Sequence, residues 1–202
     1  MKGVKQPSLL DLGEPEIDSD FSGIRRTELG EKAWVDHLPN WLKGHQKLFE
    51  TLKETTRWRN LQRQMYDQVI EVPRLIARLP DDGPGHPLIS QMAEALSGCY
   101  GVGFDSIMLA WYRDGQDSVA WHGDKLKFKA EAHVATVSTG SPRTFRIRLL
   151  SGGPSYDYSL GWGDLLVMGG SCQQTSEHTV PKVNAADPRI TIMFRHHYEL
   201  ML

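Results

Sequence analysis

The chain has 202 residues, 40% hydrophobic and 24% charged, enough to bury a core within one globular domain. Its 25 acidic and 23 basic residues leave a net charge of −2, which argues against a protein that works by coating nucleic acid with a basic surface. Two cysteines, Cys99 and Cys172, without a CxxC pair exclude a disulfide-stapled fold and a thiolate zinc site, so any metal here is held by His and carboxylate.

In chain order, residues 1–22 set Lys2 and Lys5 against Asp11, Glu14, Glu16, Asp18 and Asp20. They read as an acidic, weakly ordered segment ahead of a single domain at 23–202. No apolar run reaches membrane-span length and no signal-peptide stretch follows Met1, so a cytoplasmic protein is expected. Asn40 is placed to cap a helix with Trp41, Leu48, Phe49 and Leu52 at helical spacing. Pro87 opens a second, which stops at the glycines 98–103, with Leu88, Met92, Ala95, Leu96 and Cys99 inward.

From Phe104 the pattern changes to short β-rich runs: Phe104–Tyr112, Ser118–His122, His133–Thr139, Thr144–Leu149, Tyr156–Leu160, Asp164–Met168 and Arg189–Arg195. Asp114-Gly115, Ser151-Gly152-Gly153-Pro154 and Gly169-Gly170 supply turns between them. Helices followed by seven uninterrupted strands predict a mainly β protein with flanking helices (α+β), a sandwich or barrel with the helices on one face.

The chemistry-bearing residues concentrate in the β half. His122-Gly123-Asp124 places imidazole and carboxylate two apart, on one side of an extended strand; a turn or a surface pair is the other reading. His178 offers a third ligand downstream, and two histidines with one carboxylate match the facial triad of non-haem Fe(II), which leaves three metal positions open. In Arg189-Ile-Thr-Ile-Met-Phe-Arg195 the period of two puts Ile190, Ile192 and Phe194 on a core face and both arginines on the other. Arginines near a metal suit a dicarboxylate, which guanidinium pairs bidentately; an edge strand with solvated arginines is the alternative. No GxGxxG, GxxxxGK[ST] or nucleophile-elbow pattern is present.

Residues Trp34 to Arg195 resemble the AlkB family of Fe(II)- and 2-oxoglutarate-dependent dioxygenases. The resemblance runs through Met65–Arg74, Trp111–Asp124, Gly163–Gly170, Glu177–Lys182 and Pro188–Arg195. It implies a double-stranded β-helix (jelly-roll) core with His122, Asp124 and His178 on iron. It also implies 2-oxoglutarate and O2 as co-substrates. Arg189 would pair with the distal carboxylate, helped by Tyr112, and Arg195 would lie near the keto-acid end. Where many members carry Asn, this chain has Ala110 and Thr191, so fewer hydrogen bonds reach the co-substrate. Leu126 and Ser176 replace an acidic and an aromatic residue common in relatives, and Arg78-Leu79-Pro80 replaces an aromatic-Gly ending.

The implied activity is oxidative demethylation of N-alkylated bases in DNA, releasing formaldehyde and succinate, by a monomer that meets one base at a time. Arg74 and Arg78, with Lys125 and Lys127 after the metal ligands, are expected on the phosphate backbone. Trp58, among Arg57, Arg59 and Arg63, is expected to be the aromatic exception that stacks on a base, the remaining Trp and Tyr side chains serving as packing. The departures keep two alternatives in view: a dioxygenase of the same fold acting on RNA, protein or a small molecule, and a metal- or nucleic-acid-binding module without turnover.

Overall fold

The computed structural model describes residues 13–65, 68–123 and 132–196, the side chains of 61–65 and 68–71 excepted. The first half, read from sequence as two helices, also contains strands. These are β1 (Glu16–Ile17), β2 (Arg25–Gly30), β3 (Ala33–Leu38), β4 (Leu42–Lys43), β5 (Arg59–Met65) and β6 (Gln68–Leu79), with helices α1 (His45–Thr55) and α2 (Pro87–Tyr100). The second half holds the seven expected strands as β7 (Ser106–Tyr112), β8 (Val119–His122), β9 (Val134–Gly140), β10 (Arg143–Leu149), β11 (Tyr156–Leu160), β12 (Leu165–Gly170) and β14 (Arg189–Arg195). A one-turn helix α3 (Cys172–Thr175) and β13 (Ser176–Val180) complete it.

Both long helices have physical stops. His86 caps α2 by accepting the Leu88 N–H at Nδ1 (3.2 Å), Pro87 occupies the first turn, and Gly101 ends it in the left-handed region. Helix α1 starts later than expected. Asn40 is not its cap but a left-handed turn residue at φ 55°. Leu42–Lys43 pairs with β1 first, so the helix opens only at His45, after Gly44. The inward face of α2 is Leu88, Ile89, Met92 and Leu96, whereas Cys99, which the helical period places on the same stripe, is exposed in the last turn, just before the helix ends at Tyr100.

All strand pairs are antiparallel. The larger sheet runs β2-β3-β12-β9-β14-β7-β6-β5, the smaller β11-β10-β13-β8. Alternation divides the core accordingly. Leu109, Ala135, Val137, Leu165, Val167, Ile190, Ile192 and Phe194 pack outward against α1 and α2. Ala110, Tyr112, Val134, Leu166 and Met168 pack inward against Phe145, Ile147 and Val180 of the smaller sheet. Two facing antiparallel sheets with helices covering one outer face form the expected jelly roll. Among the described residues no helix is long and apolar enough to cross a membrane.

The seam beside β12 requires a glycine. A Cβ at Gly169 would lie 2.1 Å from the Trp34 ring. That ring cannot swing aside, because the Arg26 guanidinium covers it at 3.8 Å and Tyr100 stacks on it at 6.1 Å. Gly169→Ala is therefore expected to lower stability by ~2 kcal/mol, read as a shifted urea midpoint at unchanged slope.

Candidate active site

The inner face of the smaller sheet brings His122 and His178 together. His122 ends β8, His178 lies in the middle of β13, and the two are direct partners in the ladder. Their ring centroids are 4.3 Å apart. His178 is buried and lies over Phe145 of β10 at 5.3 Å. His122 Nδ1 donates to the Ala120 carbonyl at 2.9 Å, which in the neutral ring makes Nε2 the lone-pair atom. A carbonyl fixing one imidazole nitrogen is the usual arrangement behind a metal ligand. Asp124 lies outside the described residues, and among those described no three His, Cys, Asp or Glu side chains converge as a metal set. His133 instead packs on Trp34 and Tyr100, and the His196 ring bonds the Gly103 carbonyl.

Facing these strands across the interior is β14. Arg189 pairs with Tyr112 on one side and Gly140 on the other, and Thr191 with Ala110 and Ser138. The Arg189 side chain is fully buried. Its Nη2 donates to Ser138 Oγ (2.8 Å), while Nε and Nη1 have no partner. Burial, reinforced by the nearby Arg143 and only partly offset by Tyr112 and Asp164, pushes its pKa down to about 10. Thr191 Oγ1 is also buried and unpartnered. A buried guanidinium short of acceptors beside a hydroxyl is completed by a carboxylate, so this pocket fits 2-oxoglutarate.

Arg195 shares the inward face but stands six residues on, ~20 Å along the strand. Its guanidinium lies against the thioethers of Met108 (3.3 Å) and Met193 (4.0 Å).

Arg143 belongs to the interior, although it stands in one short basic run with Arg146 and Arg148. Odd spacings of three and five put it on the opposite face from both: 143 shares the inward face with Phe145 and Ile147, whereas Arg146 pairs with Asp157 and Arg148 with Glu177 outside. That parity was the available signal. Arg143 is 3% exposed and burial lowers its pKa.

The loop between Tyr112 and β8 is held rigidly. Arg113 forks onto Asp117 with bonds of 2.8 and 2.9 Å, and its backbone N–H donates to the same carboxylate. Burial raises the Asp117 pKa, but the Arg113 bonds outweigh it and the net shift is below the ordinary carboxylate value. A depressed folded pKa contributes stability that is present above the unfolded value and lost as pH falls below about 4. Asp117→Asn is expected to cost ~2 kcal/mol at pH 7 and to flatten this acid dependence, measured by urea unfolding from pH 7 to pH 3.

On β6, Arg74, Ile76 and Arg78 alternate with Ala77 and Leu79, which face the helices. Arg74 donates to the Ser118 carbonyl (3.3 Å), just ahead of β8, and the Arg78 side chain is exposed. Lys125, Leu126 and Lys127 lie outside the described residues. Trp58 is not a free platform. It packs on Trp111 at 5.3 Å and donates to the Lys53 carbonyl (3.2 Å), because the α1–β5 turn folds it back onto the sheet.

Comparison with known proteins agrees with this geometry. The family model described as the 2OG-Fe(II) oxygenase superfamily matches residues 80–195. The chain is 32% identical over 117 residues to uncharacterized protein R406 of Acanthamoeba polyphaga mimivirus, a match covering 57% of this chain and 61% of that protein. It is 29% identical to alpha-ketoglutarate-dependent dioxygenase alkB homolog 3 of Bos taurus, across 96% of this chain and 74% of the relative. It is 31% identical over 120 residues to DNA oxidative demethylase ALKBH2 of Arabidopsis thaliana, covering 47% of this chain and 38% of the relative. The chain belongs to the 2OG-Fe(II) oxygenase superfamily, in its AlkB family. It is thus a 2-oxoglutarate-dependent dioxygenase, a class that uses Fe(II) with 2-oxoglutarate and O2 as co-substrates.

Proposed function

We propose that this dioxygenase demethylates N-alkylated bases in DNA. The observation that carries the reading is the pairing, inside one sandwich, of a histidine dyad with a buried guanidinium two of whose nitrogens lack acceptors. His122 and His178, with Asp124, would hold the iron. Arg189 and Tyr112 would orient the distal carboxylate of 2-oxoglutarate, Thr191 would add a hydroxyl beside them, and Arg195 would serve the keto-acid end. Iron with its co-substrates supplies the oxidation of a C–H bond, and an N-methyl group so hydroxylated leaves as formaldehyde.

Support for a nucleic-acid substrate comes from the DNA demethylase among the relatives and from Arg74 and Arg78, which alternate on the β6 face opposite the helices. Together with Lys125 and Lys127 they would bind phosphates while one base reaches the iron. Protein supplied with Fe(II), ascorbate and 2-oxoglutarate should release formaldehyde from oligonucleotides carrying 1-methyladenine or 3-methylcytosine. Succinate formation without turnover of any methylated DNA would overturn the DNA reading, and the same panel in RNA would show whether the substrate is RNA. Arg78→Ala is expected to weaken oligonucleotide binding several-fold and to reduce the slope of log affinity against log salt by ~0.7, as for one lost single-strand phosphate contact.

A further inference from the structure

Arg143 is the second buried guanidinium of the interior, and among the described residues it forms no ion pair with a carboxylate. Its Nη1 donates to the carbonyl of Asp114 (2.9 Å), and its Nη2 to those of Asp117 (2.9 Å) and Pro181 (2.8 Å). Asp114 and Asp117 lie in the loop that leads to His122, and Pro181 directly follows the strand that carries His178. Three carbonyls fix the position of this cation, and the carboxylates of Asp117 and Asp114, which attract it without forming an ion pair, offset the effect of its burial only in part. Its Cζ lies 5.7 Å from the centroid of the Tyr112 ring, and that of Arg189 lies 5.3 Å from the same ring. Two like charges held around one phenol in a dry interior repel, as the further lowering of the Arg189 pKa by Arg143 reflects. An anion beside Tyr112 turns that repulsion into attraction, and a phenol flanked by cations is a stronger donor to it.

We propose that Arg143 is a positioning and selectivity residue for the co-substrate: a fixed cation beside Tyr112 that makes the Arg189 pocket favour a 2-oxo dicarboxylate over a 2-oxo monocarboxylate. The inference rests on reading that pocket as the 2-oxoglutarate site. It predicts that Arg143 acts on the distal carboxylate alone. A monocarboxylate such as 2-oxobutyrate, which has the same keto-acid end, is indifferent to it.

The test measures binding to Mn(II)-loaded full-length protein, 2-oxoglutarate by calorimetry and 2-oxobutyrate by thermal-shift titration, for wild type, Arg143→Gln, Arg143→Lys and Arg189→Gln. Loss of the charge in Arg143→Gln should weaken 2-oxoglutarate about 30-fold, the scale of one lost charge contact. Arg143→Lys keeps the charge but cannot span three carbonyls, and should weaken it about fivefold. In both, 2-oxobutyrate and Mn(II) affinity should stay within about threefold of wild type, and KM for 2-oxoglutarate should rise with kcat unchanged. A folded Arg143 variant that binds 2-oxoglutarate as wild type does, or that loses both oxo acids equally, overturns the proposal. Circular dichroism decides which variants are folded, and if Arg143→Gln is not, Arg143→Lys is judged by the same two criteria. Loss of 2-oxoglutarate in Arg189→Gln with both Arg143 variants unaffected sinks the proposal alone. An unaffected Arg189→Gln sinks the reading of the pocket and the proposal with it.

Discussion

His178→Ala should abolish succinate formation and, in the same protein, the stabilisation that a divalent metal confers. His178 is 8% exposed and its ring is 4.3 Å from that of His122, so no surface side chain takes its place when it is removed. A metal that binds only the folded chain stabilises it by about 2.7 kcal/mol at a hundred times its dissociation constant. In a chain of this size that raises the melting temperature by ~5–10 °C. Wild type titrated with Mn(II) should show this rise and His178→Ala should not, with 2-oxoglutarate turnover falling to background. His196→Ala is the control. That ring bonds the Gly103 carbonyl next to β14, and its replacement should leave the metal-dependent shift intact. A His178→Ala protein that still melted higher with Mn(II) would remove His178 from the metal site.

The strands that build the site were readable because they are buried on alternating faces. In β14, Ile190, Ile192 and Phe194 against Arg189, Thr191 and Met193 is a period-two pattern that only a strand between two cores produces. The strands of the first half carry no such pattern. Only Leu29 of β2 is buried, since the strand lies at the sheet edge. In β3, Asp36 is buried by its fork to Arg26 and a bond from the Tyr100 hydroxyl, partners remote in sequence. In β6, Pro73 reads as a strand breaker, yet its carbonyl accepts the Ser118 N–H and the ladder to β7 begins only at Leu75. Within the site, His122, His178 and Arg189 followed from spacing, and Tyr112 from the family resemblance alone. Arg143 did not, because it stands in sequence beside two surface arginines while its orientation depends on strand parity. Trp58 is a related case: the arginines beside it in sequence do not show which way its ring packs, and the structure sets it against Trp111.

Arg189→Met should make the protein more stable and nearly unable to bind 2-oxoglutarate, and the opposite signs identify the residue's purpose. The Arg189 guanidinium is fully buried, two of its nitrogens lack acceptors, and Arg143 faces the same phenol. Such a group lowers the stability of the chain by itself, because desolvation of the cation is only partly offset by Ser138 and Tyr112. Methionine has nearly the same reach, fills the volume and removes the charge. By analogy with buried ionic groups replaced by apolar ones, unfolding free energy without ligand should rise by ~1–3 kcal/mol, read from denaturant midpoints. Binding should move the other way. Losing a desolvated charge contact costs ~2–5 kcal/mol, so affinity for 2-oxoglutarate should fall at least about thirtyfold while Mn(II) affinity is retained. An arginine kept for folding would show the reverse, with a lower denaturant midpoint and 2-oxoglutarate affinity unchanged in the protein that remains folded. A charge that destabilises the chain and is needed by the ligand belongs to the site.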